Sequence, residues 1–367
     1  MNSIISAIGT SNPVNKFRQD RILKFMIDAH ELDEHNSRRL EKLYHVSGID
    51  YRHSVIDDFG RERGDYQFFG NDNGLMPFPT TSARSNFYEK TALSLCLQAV
   101  EKCLGSISFN PRKITHLITV SCTGMYAPGL DIEIVESLGL NPSVERTCIN
   151  FMGCYGAFNA LKVADYICRA QQDAKVLIVD VELCTLHFQK DNSLDNWLAN
   201  SLFADGASAV LVQHEDTTDQ KLFKIKSFYT EVITKARNEM AWKIGDFGYE
   251  MQLTNQVAKQ IKSGIRDVAD KLLRKANVAF DDISQFAIHP GGRRILEVCD
   301  EVFSLKTDQN AHAYKVLRDF GNMSSATVLF VLDELSRKLK ADPREQQILS
   351  FAFGPGLTFE SMVLSYA

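Results

Sequence analysis

The chain has 367 residues, 44% of them apolar and 24% charged, and its formal net charge is −5. That length can bury a large core as one domain or two, and the acidic balance argues against a nucleic-acid surface. No apolar run approaches the roughly 18 residues of a membrane span, and the opening MNSIISAIGTSNP lacks a basic leader, so no secretory signal is expected and the protein reads as cytoplasmic.

In chain order, a first strand is predicted from Ile4 to Ile8, followed by helices at 21–29, 37–44 and 88–104 with a loop at 64–83. An α/β rhythm then begins. Apolar, β-branched runs predict strands at 114–122, 174–182 and 207–213, with a helix at 155–170 between the first two, and alternation predicts a strand at 223–230. The second half repeats the theme with helices at 255–275, 293–302 and 313–319, a short strand at 286–289, and closing strands at 346–353 and 357–367. LFADGASAVLV and AFGPGLTFESMVL echo each other, each running from Phe through Gly into a strand, which suggests two superposable halves. The eight cysteines form no CxxC pair and mostly sit in apolar segments, which predicts reduced thiols and no zinc site. Glycine-rich nucleotide loops are absent, so no nucleotide cofactor is expected.

Three separated segments carry chemistry. In NFMGCYGAF, Cys154 lies between Gly153 and Gly156 where a loop becomes a helix, a place that lowers a thiol pKa. A small buried residue is the plainer reading. In FAIHPGGRRIL, His289 ends a strand that Pro290 stops; capping a turn is its plainer role. In FGNMSSATVLFVLDE, Asn322 precedes a buried helix, where it can cap or donate to a ligand. Together a Cys, a His and an Asn suit acyl transfer: a thiolate held by an imidazolium attacks a thioester, and His and Asn donate to the oxyanion.

On MGCYGA, IHPGGRRIL, FGNMSSATVLFVLDE, FAFGPGLTFE and LFADGASAVLV the chain resembles the type III polyketide synthases, the chalcone and stilbene synthase family, from about Ile4 to its end. The resemblance implies an α/β thiolase-type fold, with two similar halves at 1–215 and 216–367 forming a layered αβαβα core, in a homodimer. It implies that an acyl-CoA starter is loaded on Cys154, extended by decarboxylative Claisen condensation with malonyl-CoA, and released as a pyrone or aromatic polyketide. It also implies that Phe203 sits at the tunnel mouth and that Arg39, Lys42 and Arg294 meet the CoA phosphates. Met251 stands where plant members hold a second gatekeeping Phe, and Trp242 where they hold Gly, as in microbial members. Cys122, Cys184 and His187 replace plant cavity residues; Thr123 and Ser324 join the expected pocket, and Ala352 alters the FGFGPG loop.

Chalcone is therefore not the expected product. A flexible Met251 predicts medium or long acyl starters and alkylpyrone or alkylresorcinol products, although an inward Trp242 would fill space that a long chain needs. A ketoacyl-acyl-carrier-protein synthase of the initiating type shares the same three residues, and the malonyl carrier consumed separates it from the main reading. A non-catalytic protein on this scaffold would show a degraded set, yet Cys154, His289 and Asn322 all stand.

Overall fold

The computed structural model describes residues 3–340 and 344–366. The chain starts in β1 (Ser3–Ser11) and runs through β2 (Asn15–Arg18), α1 (Gln19–Ala29), α2 (Glu34–Val46) and β3 (Tyr51–Ser54), which pairs back onto β2. The predicted loop at 64–83 ends early. Thr80 accepts from Ala83 N and starts α3 (Thr81–Gly105) well before its apolar period begins. Then come β4 (His116–Ser121), α4 (Leu130–Leu138), β5 (Glu145–Asn150), α5 (Gly156–Ala170), β6 (Lys175–Leu183), α6 (Leu194–Leu202) and β7 (Asp205–His214). The second half holds β8 (Phe223–Val232), the hairpin β9 (Met240–Gly245) and β10 (Gly248–Leu253), and α7 (Gln256–Ala276). It closes with β11 (Ile283–Ile288), α8 (Arg293–Phe303), α9 (Ala311–Phe320), α10 (Thr327–Leu339), β12 (Gln346–Gly354) and β13 (Thr358–Tyr366). Ala367, which the closing strand was expected to include, lies outside the described residues.

The strand order β11-β12-β13-β8-β1-β7-β6-β4-β5 contains a repeat. Strands β8-β13-β12-β11 follow the order and sense of β1-β7-β6-β4: the first two junctions are antiparallel and the third is parallel. The echoed motifs lead into β7 and β13, which occupy equivalent places. β1 and β8 pair only over Ser3–Ile5, so two half-sheets join at a short seam. Helices α5 and α10 lie between them: α5 packs on β4, β6 and β7 and reaches β13, while α10 packs on β11 and reaches β1 and β7. Outside, α3 covers β1, β6 and β7, and α7 covers β8 and β13, which gives helix, sheet, helix, sheet and helix in layers. Val328 to Leu332 are buried without interruption, so α10 has a dry first turn all round rather than one apolar face.

Candidate active site

Cys154 and Asn322 head the two central helices, so the internal repeat itself brings them to the middle of the molecule. After β5, Phe151 and Gly153 take positive φ values of 62° and 78°, turning the chain into α5. A side chain on Gly153 would put its Cβ 2.4 Å from Pro355 Cδ, and one on Gly156 would sit 2.8 Å from Val120 Cγ1. Glycine at 153 lets the FGPG loop close over Cys154, which is 6% exposed, and glycine at 156 lets the start of α5 approach Val120 of β4 and Ser325. That closure reverses the expected thiol shift. Burial pushes Cys154 up to about 12, and hydrogen bonds from Ser324 and Asn322 offset this only in part.

Asn322 has both ends engaged. Its Oδ1 accepts from Ser324 N at 2.9 Å, capping the single helical turn at Ser324–Ala326, and its Nδ2 donates to Gly291 O at 3.2 Å. Gly291 is two residues past His289. Burial drives the His289 imidazole down to about 3, and among the described residues neither ring nitrogen has a hydrogen-bond partner. Burial thus works against the resting ion pair expected from the sequence, at the thiol and at the imidazole alike. The physical reason is the same for both: a dry site disfavours either charge.

A cavity opens above Cys154, with Cys122, Thr123, Cys184, His187, Phe203, Trp242, Met251 and Ser324 in its wall, as expected, whereas His289 and Asn322 stand outside that lining. Its volume is small, about 50 Å³, so the space is narrow. Trp242 does point inward, and its indole N–H donates to Cys122 O at 2.8 Å. His187 stacks on Tyr249 at 4.1 Å between ring centres. Tyr249 N–H donates to its Nδ1 at 2.9 Å, so Nε2 carries the hydrogen and donates to Thr123 O at 2.7 Å. Two residues in the expected pocket therefore also pin the hairpin β9–β10 over it.

The chain matches the N-terminal domain of chalcone and stilbene synthases over residues 2–216 and their C-terminal domain over residues 224–366. It belongs to the chalcone and stilbene synthase family. Pks18 of Mycobacterium tuberculosis, described as an α-pyrone synthesis polyketide synthase-like protein, is 27% identical over 98% of this chain and 90% of its own. Bisdemethoxycurcumin synthase of Oryza sativa subsp. japonica is 28% identical over 98% of this chain and 91% of its own. The C-terminal type III polyketide synthase domain of Steely1 from Dictyostelium superposes with a TM-score of 0.92 at 27% identity, covering 100% of this chain and 99% of that one. PKS-I from the brown alga Ectocarpus siliculosus reaches 0.93 at 27% identity, covering 100% and 98%. The fold is thiolase-type, and the chain is a type III polyketide synthase, an acyltransferase.

Two features of this family member escaped the sequence reading. Buried Arg52 lines the cavity and donates through Nη1 to Asn200 O and Phe203 O, each at 2.8 Å. Phe203 in turn bridges to Asn322, where Asn322 N donates to Leu202 O at 2.9 Å and Ala204 N to Asn322 O at 2.8 Å. Nothing in GIDYRH signalled this. Asp180 and Glu182 also lie buried on β6, and here the period-two spacing of VDVE in an apolar run was a visible sign. As for the CoA residues, Arg294 lines a surface groove opposite Leu43 and Val46 of α2, and Arg39 and Lys42 are exposed on that helix, Arg39 over the Trp197 ring.

Proposed function

We propose that this polyketide synthase loads an acyl group from its CoA thioester onto Cys154, extends it with malonyl-CoA, and releases a pyrone or aromatic product without an organic cofactor or metal. The observation that supports it most is the meeting of three parts. Cys154 is closed into an apolar cavity, Ser324 and Asn322 approach its sulfur, and the Asn322 amide reaches the turn that carries His289. In this reading the Cys154 proton passes to His289 as sulfur attacks the thioester carbonyl, and CoA leaves as its thiol by taking that proton, so the charged pair forms during the reaction and not at rest. Decarboxylation of the malonyl group then leaves a thioester enolate, and the His289 and Asn322 N–H groups donate to its oxygen. The groove beside Arg294, walled in part by α2, the helix on which Arg39 and Lys42 are exposed, suits the CoA phosphates.

The thin cavity and inward Trp242 favour one unbranched acyl chain of medium length over a coumaroyl ring. A homodimer fits β5, which is an exposed edge of the sheet with exposed Met125 in the loop after β4. Mass spectrometry of products, together with kcat/KM across hexanoyl-, lauroyl- and coumaroyl-CoA with malonyl-CoA, tests the reading. No product from any of these starters would sink it, and a preference for coumaroyl-CoA would sink the medium-chain part alone.

A further inference from the structure

Asp180 and Glu182 stand two residues apart on β6, so their side chains leave the same face of the strand. Both are 0% exposed, and among the described residues neither forms an ion pair. Both meet one hydroxyl: Ser325 Oγ lies 2.8 Å from Asp180 Oδ1 and 2.5 Å from Glu182 Oε1. A serine hydroxyl carries a single hydrogen. It can donate to only one of these oxygens, so the other contact is a hydrogen bond only when that carboxyl brings its own proton.

The surrounding donors decide which carboxyl that is. Glu182 Oε2 accepts from Cys122 N at 3.0 Å and from the Thr123 hydroxyl at 2.8 Å. The Thr123 oxygen already accepts from Leu183 N at 2.9 Å, which leaves its hydrogen for Glu182. Asp180 has none of this support, and among the described residues its Oδ2 has no hydrogen-bond partner. Three donors suit an anion, whereas a lone oxygen beside one shared hydroxyl suits an acid.

We propose that Asp180 is a neutral carboxylic acid that donates to Ser325, which donates to Glu182, so that the three groups together hold one acid proton and one negative charge. Burial and the charge of Glu182 raise Asp180 well above the usual carboxylate range, whereas at Glu182 burial also raises the carboxyl but the hydrogen bonds from Ser325, Cys122 and Thr123 oppose it. Asp180 is thus a positioning residue. Its hydrogen bond steadies Glu182, Glu182 fixes the turn at Cys122 and Thr123, and Cys122 Sγ accepts from Gly153 N, next to Cys154, at 2.9 Å. The proton also limits the charge behind the nucleophile, because the charge of Glu182 already works against ionisation of Cys154. The other ionisable groups around the pair are Tyr88 and Cys96 on α3, and Cys122 and Cys184; burial raises all of them, so each is neutral when the pair holds its proton. This last consequence rests on Cys154 as nucleophile; the protonation of Asp180 does not.

Infrared spectroscopy of the whole protein in mildly alkaline heavy-water buffer tests the proposal. The carbonyl stretch of a protonated carboxyl is expected, shifted by heavy-carbon labelling of aspartate, unmoved by labelling of glutamate, and lost in Asp180→Asn. No such band, or a band that follows the glutamate label, would overturn it. The isotope arms need no variant and so stand even if Asp180→Asn folds poorly. A second readout is the alkylation rate of Cys154 in a Cys148→Ser background. As pH rises and the pair gives up its proton, the wild-type protein should fall behind Asp180→Asn, and identical profiles would remove the coupling to Cys154. A product-forming Cys154→Ala variant would instead overturn the proposed function and leave the infrared result untouched.

Discussion

Asn322 divides its amide between two tasks, the carbonyl capping Ser324 and the N–H group turned to Gly291. Removing one oxyanion donor costs about 10²–10³ in rate. Asn322→Ala is therefore expected to lose malonyl-CoA decarboxylation by that factor while intact-mass spectrometry still finds the acyl group on Cys154; normal decarboxylation would reduce Asn322 to a cap. Cys154→Ala should show no acyl adduct at all. The position of Cys154 at a helix start was legible in Gly-Cys-Tyr-Gly, but its charge state was not, because the walls that dry it come from Pro355 and the Cys122 turn, far away in sequence. Three buried histidines carry a pH prediction. Burial holds His30 neutral down to about 4, and His187 and His289 down to about 3. The unfolded chain takes up these protons near pH ~6.5. Between those limits the unfolded state binds more protons, so stability falls as pH drops, by up to ~1.4 kcal/mol per pH unit for each imidazole. Urea midpoints across that range should show the slope, and His30→Gln should reduce it by one proton's share.

The hairpin β9–β10 is the element that shapes the cavity. Its register places Trp242 opposite Met251, and it is anchored by Trp242 to Cys122, by Tyr249 to His187, and by Thr81 to Gly248. Gly248 has a φ of 108°, and a Cβ there would press on Arg84 Cδ at 2.8 Å, so this anchor tolerates no side chain. Trp242→Gly should enlarge the cavity and raise kcat/KM for lauroyl-CoA relative to hexanoyl-CoA. It should also lower stability, by up to about 3 kcal/mol, since a large ring and an indole hydrogen bond are lost. An unchanged starter ratio would show that the indole does not set chain length. The periodic elements around this hairpin were legible: α7 and the strands β4, β6 and β7 each carry an unbroken helical or apolar pattern. The hairpin itself, α4, α6 and β5 were not. β5 faces water along most of its length, so its sequence, ERTCIN, bears no alternation to read.

Across the whole molecule, the echo between LFADGASAVLV and AFGPGLTFE was a true trace of the repeated strand order, whereas the seam between the half-sheets left no mark, because β1 and β8 meet over only a few residues. The exposed edge at β5 carries the assembly prediction: light scattering should give twice the chain mass, and Cys148→Lys should shift it toward the monomer. A single-chain mass for the wild-type protein would overturn the homodimer. The seam also bears on how the chain is made. β1 pairs along its length with β7, from Ser3 with His214 to Ser11 with Ala207, and at its start with β8. Its partners emerge about 200 residues after it does. At roughly 5–20 residues per second of synthesis, the apolar segment SIISAIG waits on the order of 10–40 s with both edges unpaired. In the cell this first strand is a target for a holding chaperone, and in the test tube refolding should be slow and prone to aggregate as concentration rises.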